Sequence, residues 1–386
     1  MKIIIGADLV PTDSNVELFN NGKSYLLIGK ELRKILERSD FNCFNLEVPL
    51  TDRKTPINKC GPALIAPTSS IEGFKSMKVD FLTLANNHIM DQDVQGLAST
   101  INLLKSNKIL YAGAGANIKE ASKPFFMKFE NIKIGIYCCA EHEFSIAEKD
   151  KAGANPFDPL ESLDHISQLK EESDIVIVLY HGGKEHYRYP SPALQKTCRK
   201  MVDKGADLVV CQHSHCIGCE ENWKNGKIVY GQGNFLFDKS TSEYWETSLL
   251  IELSINTKSL EKNIEYIPIV KIDNTVRLAN DIRKKEIITA FNKRSNEIIK
   301  EGIVEKKYYD FAEEMQWEYF SAFSGKITKN IIYRIINRIS KYKFAKKYLN
   351  MRYRKSERIV LQNYIECEAH RELILAGLKG GKNVKR

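Results

Sequence analysis

Short apolar runs recur along the first two thirds of the chain, separated by stretches with helical periodicity. Lys2–Ile5, Phe41–Asn45, Phe81–Leu84, Ile132–Cys138, Ile175–Leu179, Leu208–Cys211 and Ile228–Tyr230 are rich in β-branched or aromatic residues and read as strands. Several are nearly continuous in apolar residues, as in strands buried on both faces. Tyr25–Arg38, Ser69–Met77 and Asp93–Lys105 read as helices. A further helix has explicit punctuation. Ser191 is a fitting N-cap, Pro192 suits the first helical position, Leu194, Cys198, Met201 and Val202 form the apolar stripe, and Gly205 stops it. A strand follows at once. This rhythm predicts an α/β fold, a sheet covered by helices. After about Asn280 the strand signals fade and Lys/Arg/Glu-rich helical patterns take over. The expected boundary is 280–285, dividing the chain into 1–280 and a basic helical region, 281–386. No internal repeat is visible.

The polar residues fall at informative places. Asp8 follows the first strand, and Asn45 and Glu47 end the second. Asn86, Asn87, His88 and Asp91 follow the third, His181 follows Ile175–Leu179, and His213 and His215 follow Leu208–Cys211. Open α/β sheets bind ligands beyond the carboxyl ends of their strands. Five strands thus send acids, amides and imidazoles to one edge. That ligand mix suits Mn, Fe or Zn better than Ca or Mg. A lone histidine in such a place is ordinarily structural; five strand ends together predict a site.

These residues carry a family resemblance. Asn45-Leu46-Glu47-Val48-Pro49-Leu50-Thr51, Asn86-Asn87-His88 with Asp91, the run His181–Tyr187, Gly205-Ala206-Asp207, His213-Ser214-His215 and Gly233-Asn234-Phe235 occur in the order of the bacterial capsule-synthesis CapA family. The chain resembles that family over roughly residues 1–255. The family is associated with poly-γ-glutamate and other capsular polymers, and it in turn resembles the calcineurin-like metallophosphoesterases. The resemblance implies a β-sandwich flanked by helices, with one or two divalent metal ions at the strand ends. It implies Asp8, Glu47, Asn87, His181, His213 and His215 as metal ligands, and His88 with Asp91 as the catalytic pair. Asn45, Lys59 and Glu185 are the expected substrate contacts. Lys59 and Arg53, in the loop after Glu47, are expected to hold an anionic substrate. There are departures. Val10 stands where a histidine is usual, Glu47 is longer than the usual bridging aspartate, and Gly182 replaces a frequent tryptophan. The metal nearest Asp8 is therefore expected to be weak, differently ligated or missing.

Composition narrows the classes. With 43% apolar and 28% charged residues, the chain is neither globally disordered nor collagen-like. No apolar run reaches the roughly 18–20 residues of a membrane span, and Gly6 and Asp8 interrupt the N-terminal run too early for a signal peptide. A cytoplasmic protein is expected, with membrane-peripheral attachment open. Nine cysteines fit that compartment as reduced thiols. Cys138 and Cys139, adjacent in a strand, should face opposite ways. Cys216 and Cys219 form a single CxxC, read as structural, and Ala112–Gly115 reads as a tight turn.

The net charge of +9 is uneven. From Asp281 onward about 25 Lys/Arg stand against about 13 Asp/Glu, which leaves the first 280 residues slightly acidic. Between Lys326 and Arg358 there are twelve Lys/Arg and one acid, with Ile332, Ile335, Ile336, Ile339, Tyr342 and Leu349 at helical spacing. Such a stripe either packs on the main domain or docks on an anionic membrane, an acidic polymer or a partner. No sequence-specific nucleic-acid motif is present. The leading expectation is a metal-dependent hydrolase of phosphoester or related bonds in capsule or surface-polymer biosynthesis. Its substrate would be an anionic polymer or a phosphorylated molecule. The alternatives are a non-catalytic capsule-assembly component and an amide-bond enzyme acting on γ-linked glutamate.

Overall fold

The computed structural model describes residues 1–238, 241–324, 331–340 and 343–380. The fold is α/β, with two large sheets that share a core. In the first sheet β1 (Lys2–Leu9), β2 (Phe41–Leu46), β3 (Phe81–Thr83) and β4 (Leu110–Ala112) run parallel. β13 (Thr247–Ile255) pairs antiparallel with β1, and β14 (Lys262–Ile272) and β15 (Thr275–Leu278) extend that edge. The second sheet has a parallel centre of β7 (Ile132–Ala140), β9 (Ile175–His181), β10 (Leu208–Gln212) and β12 (Gly226–Tyr230). β6 (Phe125–Phe129) and β11 (Glu220–Trp223) close it as antiparallel edges.

One hydrophobic cluster takes Ile3, Ile5 and Phe44 from the first sheet and Ile134, Leu179 and Val210 from the second. The sheets therefore pack face to face. Phe41 and Phe81 meet Phe125 across this interface, at ring separations of 6.2 and 5.0 Å. The outer face of the second sheet forms another cluster with helices Ser162–Glu171 and Pro192–Asp203. Cys138 lies in the first cluster and Cys139 in the second, so neighbouring cysteines do face opposite ways.

The expected strands all fall within observed ones, except that Leu84 lies just past β3. β1 runs on to Leu9, because Gly6 and Asp8 are buried in the sheet and do not end it. The capped helix forms as expected: Ser191 Oγ accepts from Leu194 N at 3.0 Å. Gly113, at φ +88°, makes the tight turn; a Cβ there would meet Ala85 and Cys138 at 2.7 Å. It leads into a two-residue pairing of β5 (Ala114–Gly115) with β8 (Gly153–Ala154).

The change of texture near residue 280 marks the end of the strands, whereas the first compact unit runs to Tyr308. Asn280 caps the helix Asp281–Ile298 by accepting from Arg283 N at 2.9 Å. Ile287 and Phe291, one turn apart, bury against Ile217 and Leu249, and the Phe291 ring lies 4.7 Å from that of Tyr266. The second unit, Tyr309–Arg386, is helical in its described parts. Lys326, Tyr342 and residues 381–386 lie outside the described residues.

Candidate metal centre

The parallel strands of both sheets end toward the same place. Asp8 comes from β1, Asn45 from β2 and Glu47 from the residue after it. Asn86, Asn87 and His88 follow β3, and His181 is the last residue of β9. His213 and His215 follow β10 in the left-handed region, at φ 101° and 52°. A non-glycine residue is strained there, and such strain clusters at functional sites. Here it bends the loop so that both imidazoles face the centre.

Two groups of ligand-type atoms result, each drawn together within 4.8 Å. One comprises Asp8, Glu47 and His215, the other Glu47, His181 and His213, and all five residues are buried. Glu47 belongs to both. His181 Nε2 lies 3.4 Å from Glu47 Oε1 and 3.1 Å from Asn87 Oδ1, which brings the Asn87 carbonyl oxygen to the second group. Asn45 Nδ2 donates to Asp8 Oδ1 at 2.7 Å, and Asn86 Nδ2 donates to Asn45 Oδ1 at 3.0 Å. Asn45 is thus a buried strut beneath the acids.

The fit to metal can be tested on the polar atoms themselves. Asp8 Oδ2, both Glu47 carboxylate oxygens and His213 Nδ1 are buried without a hydrogen-bond partner. Buried polar groups are normally satisfied. Asp8 Oδ2 has the His215 imidazole 3.2 Å away, while the Glu47 oxygens and His213 Nδ1 stand open beside it; together they are a ligand set that suits a cation. Val10, in place of the usual histidine, is buried in the core, and His215 is the third member of the Asp8 group. The departure at Val10 therefore leaves that group with three ligand-type side chains.

Electrostatics agree with this picture. Burial, then the adjacent Asp8, raises the Glu47 pKa to about 8. Burial lowers His181 to about 4, against the pull of Asp8. Burial and the neighbouring imidazoles hold His213 well below its usual value. Burial also opposes charge on His215, but contact with Asp8 at 3.2 Å and the charge of Glu47 win and raise it to about 9. Burial would raise Asp8, but His215 overcomes it and holds the carboxyl below its usual range.

Beside this centre His88 Nδ1 contacts Asp91 Oδ2 at 2.6 Å, and Asp91 also accepts from Leu64 N. Asp91 is fully buried, and it is itself held by Lys59, whose Nζ also donates to Asn87 O at 3.2 Å. Lys59 does not reach out for a substrate. Its side chain is 3% exposed and pairs with Asp91 Oδ1 at 2.6 Å. Arg53 lies exposed on the surface. Glu185 is half-buried, and His213 and His215 outweigh its burial and lower its pKa.

One residue at the centre, Glu143, goes unnamed in the sequence reading, and Asn234 enters it only within the Gly233-Asn234-Phe235 motif, without a role. Glu143, in the loop after β7, accepts from Asn87 Nδ2 at 3.2 Å, and its other oxygen lies 3.8 Å from His213 Nε2. Asn234 Oδ1 meets His215 Nδ1 at 2.8 Å. Both follow the carboxyl end of a strand, the signal that found the others. At Gly182 a Cβ would come within 2.8 Å of Tyr180 and 2.9 Å of Glu141, so a tryptophan has no room.

Residues 5–239 match the family described as Bacterial capsule synthesis protein PGA_cap. The chain belongs to this family. Capsule biosynthesis protein CapA of Bacillus anthracis is 30% identical over 224 residues, 56% of this chain and 54% of that protein. PGA biosynthesis protein CapA of Bacillus subtilis (strain 168) is 29% identical over 240 residues, 61% of this chain and 63% of that protein. The matches thus cover under two thirds of either relative. A crystal structure of a phosphatase from Mycoplasma pneumoniae aligns with 71% of the chain and 94% of its own, at 18% identity and a TM-score of 0.44. The centre lies within the PGA_cap segment; the second unit lies beyond it.

Proposed function

We propose that this PGA_cap domain is a metal-dependent hydrolase of phosphoester or related bonds, serving capsule or surface-polymer biosynthesis. The observation that carries the reading is the convergence of Asp8 with the open acceptors of Glu47 and His213. Asp8, Glu47 and His215 would hold one divalent ion; Glu47, Asn87, His181 and His213 would hold a second, with Glu47 shared. Mn, Fe or Zn suits these ligands. Bound metal supplies Lewis acidity and lowers the pKa of water to about 7. The chain's own residues do the rest. His88, oriented by Asp91, would donate a proton to a leaving oxygen. Lys59 fixes Asp91, Asn45 braces Asp8, and Glu143 orients the Asn87 amide so that its oxygen faces the centre. The process assignment draws on the printed names of the Bacillus relatives.

A second reading, a metal-held component of capsule assembly without catalysis, is favoured by one observation. Lys59, expected to greet an anionic substrate, is buried in an ion pair with Asp91, and the acids Glu143 and Glu185 lie beside His213. Elemental analysis of the purified protein with its Asp8→Ala and His213→Ala variants, followed by phosphoester and γ-glutamyl amide substrates on the loaded protein, separates these readings. Stoichiometric metal lost in both variants, with phosphoester turnover, is expected. Metal without turnover of either class would leave the assembly component. Amide turnover alone would shift the reaction to the polymer backbone. No metal after reconstitution would refute the centre.

A further inference from the structure

The second unit carries an exposed apolar helix face. The helix Ile331–Ile339 contains five isoleucines in nine residues. Ile331, Ile332, Ile335, Ile336 and Ile339 recur at a spacing that gathers them on one side of the helix. Ile331 is 71%, Ile335 53%, Ile336 39% and Ile339 79% exposed. The other side is used within the unit. The Tyr333 ring lies 6.0 Å from Phe344 and 5.9 Å from Tyr348 of the next helix, Lys343–Arg352. That helix turns Ala345 and Leu349 inward, and Tyr353 beyond it stacks on Phe320 at 4.6 Å. Leu349, expected in one stripe with the isoleucines, is thus a core residue on a separate helix. The isoleucines face out.

The surroundings are strongly cationic. Lys343, Lys346, Lys347, Arg352, Arg354 and Lys355 are exposed, and the sequence from 326 to 358 holds twelve Lys/Arg against Glu357 alone. We propose that this helix lies in the surface layer of an anionic lipid bilayer, isoleucines in the acyl boundary and the lysines and arginines on the headgroups. An acidic polymer would engage the cations and leave the isoleucines in water. An anionic bilayer satisfies both at once. Among the described residues no helix is long and apolar enough to cross a membrane, so this one lies on it.

The test uses the full chain and vesicle flotation, with phosphatidylglycerol/phosphatidylcholine vesicles against phosphatidylcholine alone. Soluble polyglutamate serves as the competing polyanion. Wild-type protein should bind the anionic vesicles and not the neutral ones. The double variant Ile335→Ser, Ile336→Ser should bind at least about tenfold more weakly, since each buried isoleucine contributes that much or more. Lys343→Gln, Lys346→Gln, Lys347→Gln should weaken binding as well and make it less salt-sensitive. Three results would overturn the proposal. They are no binding of wild type to anionic vesicles, isoleucine variants that bind as wild type while polyglutamate competes fully, and a large fall in the melting temperature of the isoleucine variant. The last would show that the face packs against protein.

Discussion

Metal uptake at this centre should expel protons, and the number can be worked out residue by residue. Ligands must be deprotonated to bind metal. At pH 7 Asp8 is already ionised, and His181, at about 4, and His213, well below its usual value, are already neutral. Glu47, raised by burial and Asp8 to about 8, still holds its proton. His215, raised by its acidic neighbours to about 9, is still an imidazolium. Filling both groups at pH 7 therefore releases about two protons, one from each of these residues. Filling only the group of Glu47, His181 and His213 releases about one, because His215 keeps its ion pair with Asp8. Calorimetric titration of the metal-stripped protein with Mn²⁺, in buffers of matched pH and different ionisation enthalpy, reads this number as a slope. It should fall toward zero as the pH passes 9. The same groups set the stability of the stripped protein. Glu47 and His215 both have folded-state values above their ordinary 4.5 and 6.5. Their stabilising contributions are present at low pH and are lost as pH rises through about 8 and about 9. The stripped protein should melt earlier at pH 9.5 than at pH 7, and metal should remove that difference. Release of no protons at pH 7, with an affinity independent of pH, would refute the assignment of Glu47 and His215 to the metal.

Three further outcomes follow from particular contacts. Glu143→Ala should weaken Mn²⁺ binding by about 10–100-fold in the same titration, the usual consequence of losing a group that orients a ligand. Glu143→Gln, which keeps an acceptor for Asn87, should lose less. Lys59→Met should cost roughly 3–5 kcal/mol in urea unfolding, because it leaves Asp91 buried without its cation. An effect on KM with unchanged stability would restore Lys59 as a substrate contact. Phe291→Ala should destabilise the first unit by about 3–5 kcal/mol. A β-sheet transition in circular dichroism that does not move would place that helix with the tail.

The centre was legible because parallel strands announce themselves as apolar runs, and the residue that ends each run must lie on the ligand-binding edge. That logic reaches Asp8, Glu47, Asn87, His181, His213 and His215 without any knowledge of pairing. The same logic applies to Glu143, three residues past β7, and to Asn234, four past β12. Glu143 goes unnamed and Asn234 without a role because one more acid or amide in a polar loop has no distinguishing chemistry until its partner is known. Lys59 is a different case. Its loop has no periodicity, and its partner Asp91 is 32 residues away. Only the fold could show that its charge is spent internally. The two boundaries differ because composition changes where strands stop, near residue 280, whereas the first compact unit stops where burial stops, at Tyr308. Ile287 and Phe291, spaced one turn apart, were the local sign that the next helix still had a core to cover.

The chain keeps two features that a purely structural protein would be expected to lose. Glu47 is an acid buried without a partner beside a second acid, and His213 and His215 occupy backbone conformations that disfavour their side chains. Each works against folding, by about 1–3 kcal/mol for a strained residue or a buried unsatisfied group. The surrounding fold makes them tolerable, since the two sheets form one core directly beneath them. What would offset these penalties locally is a cation shared through Glu47, which would replace the Glu47 proton and engage the free His213 nitrogen. The bent histidine loop and the buried acids are then parts of one arrangement: the strain turns the imidazoles inward, and the Glu47 oxygens, without a hydrogen-bond partner, give the cation its reason to bind between them.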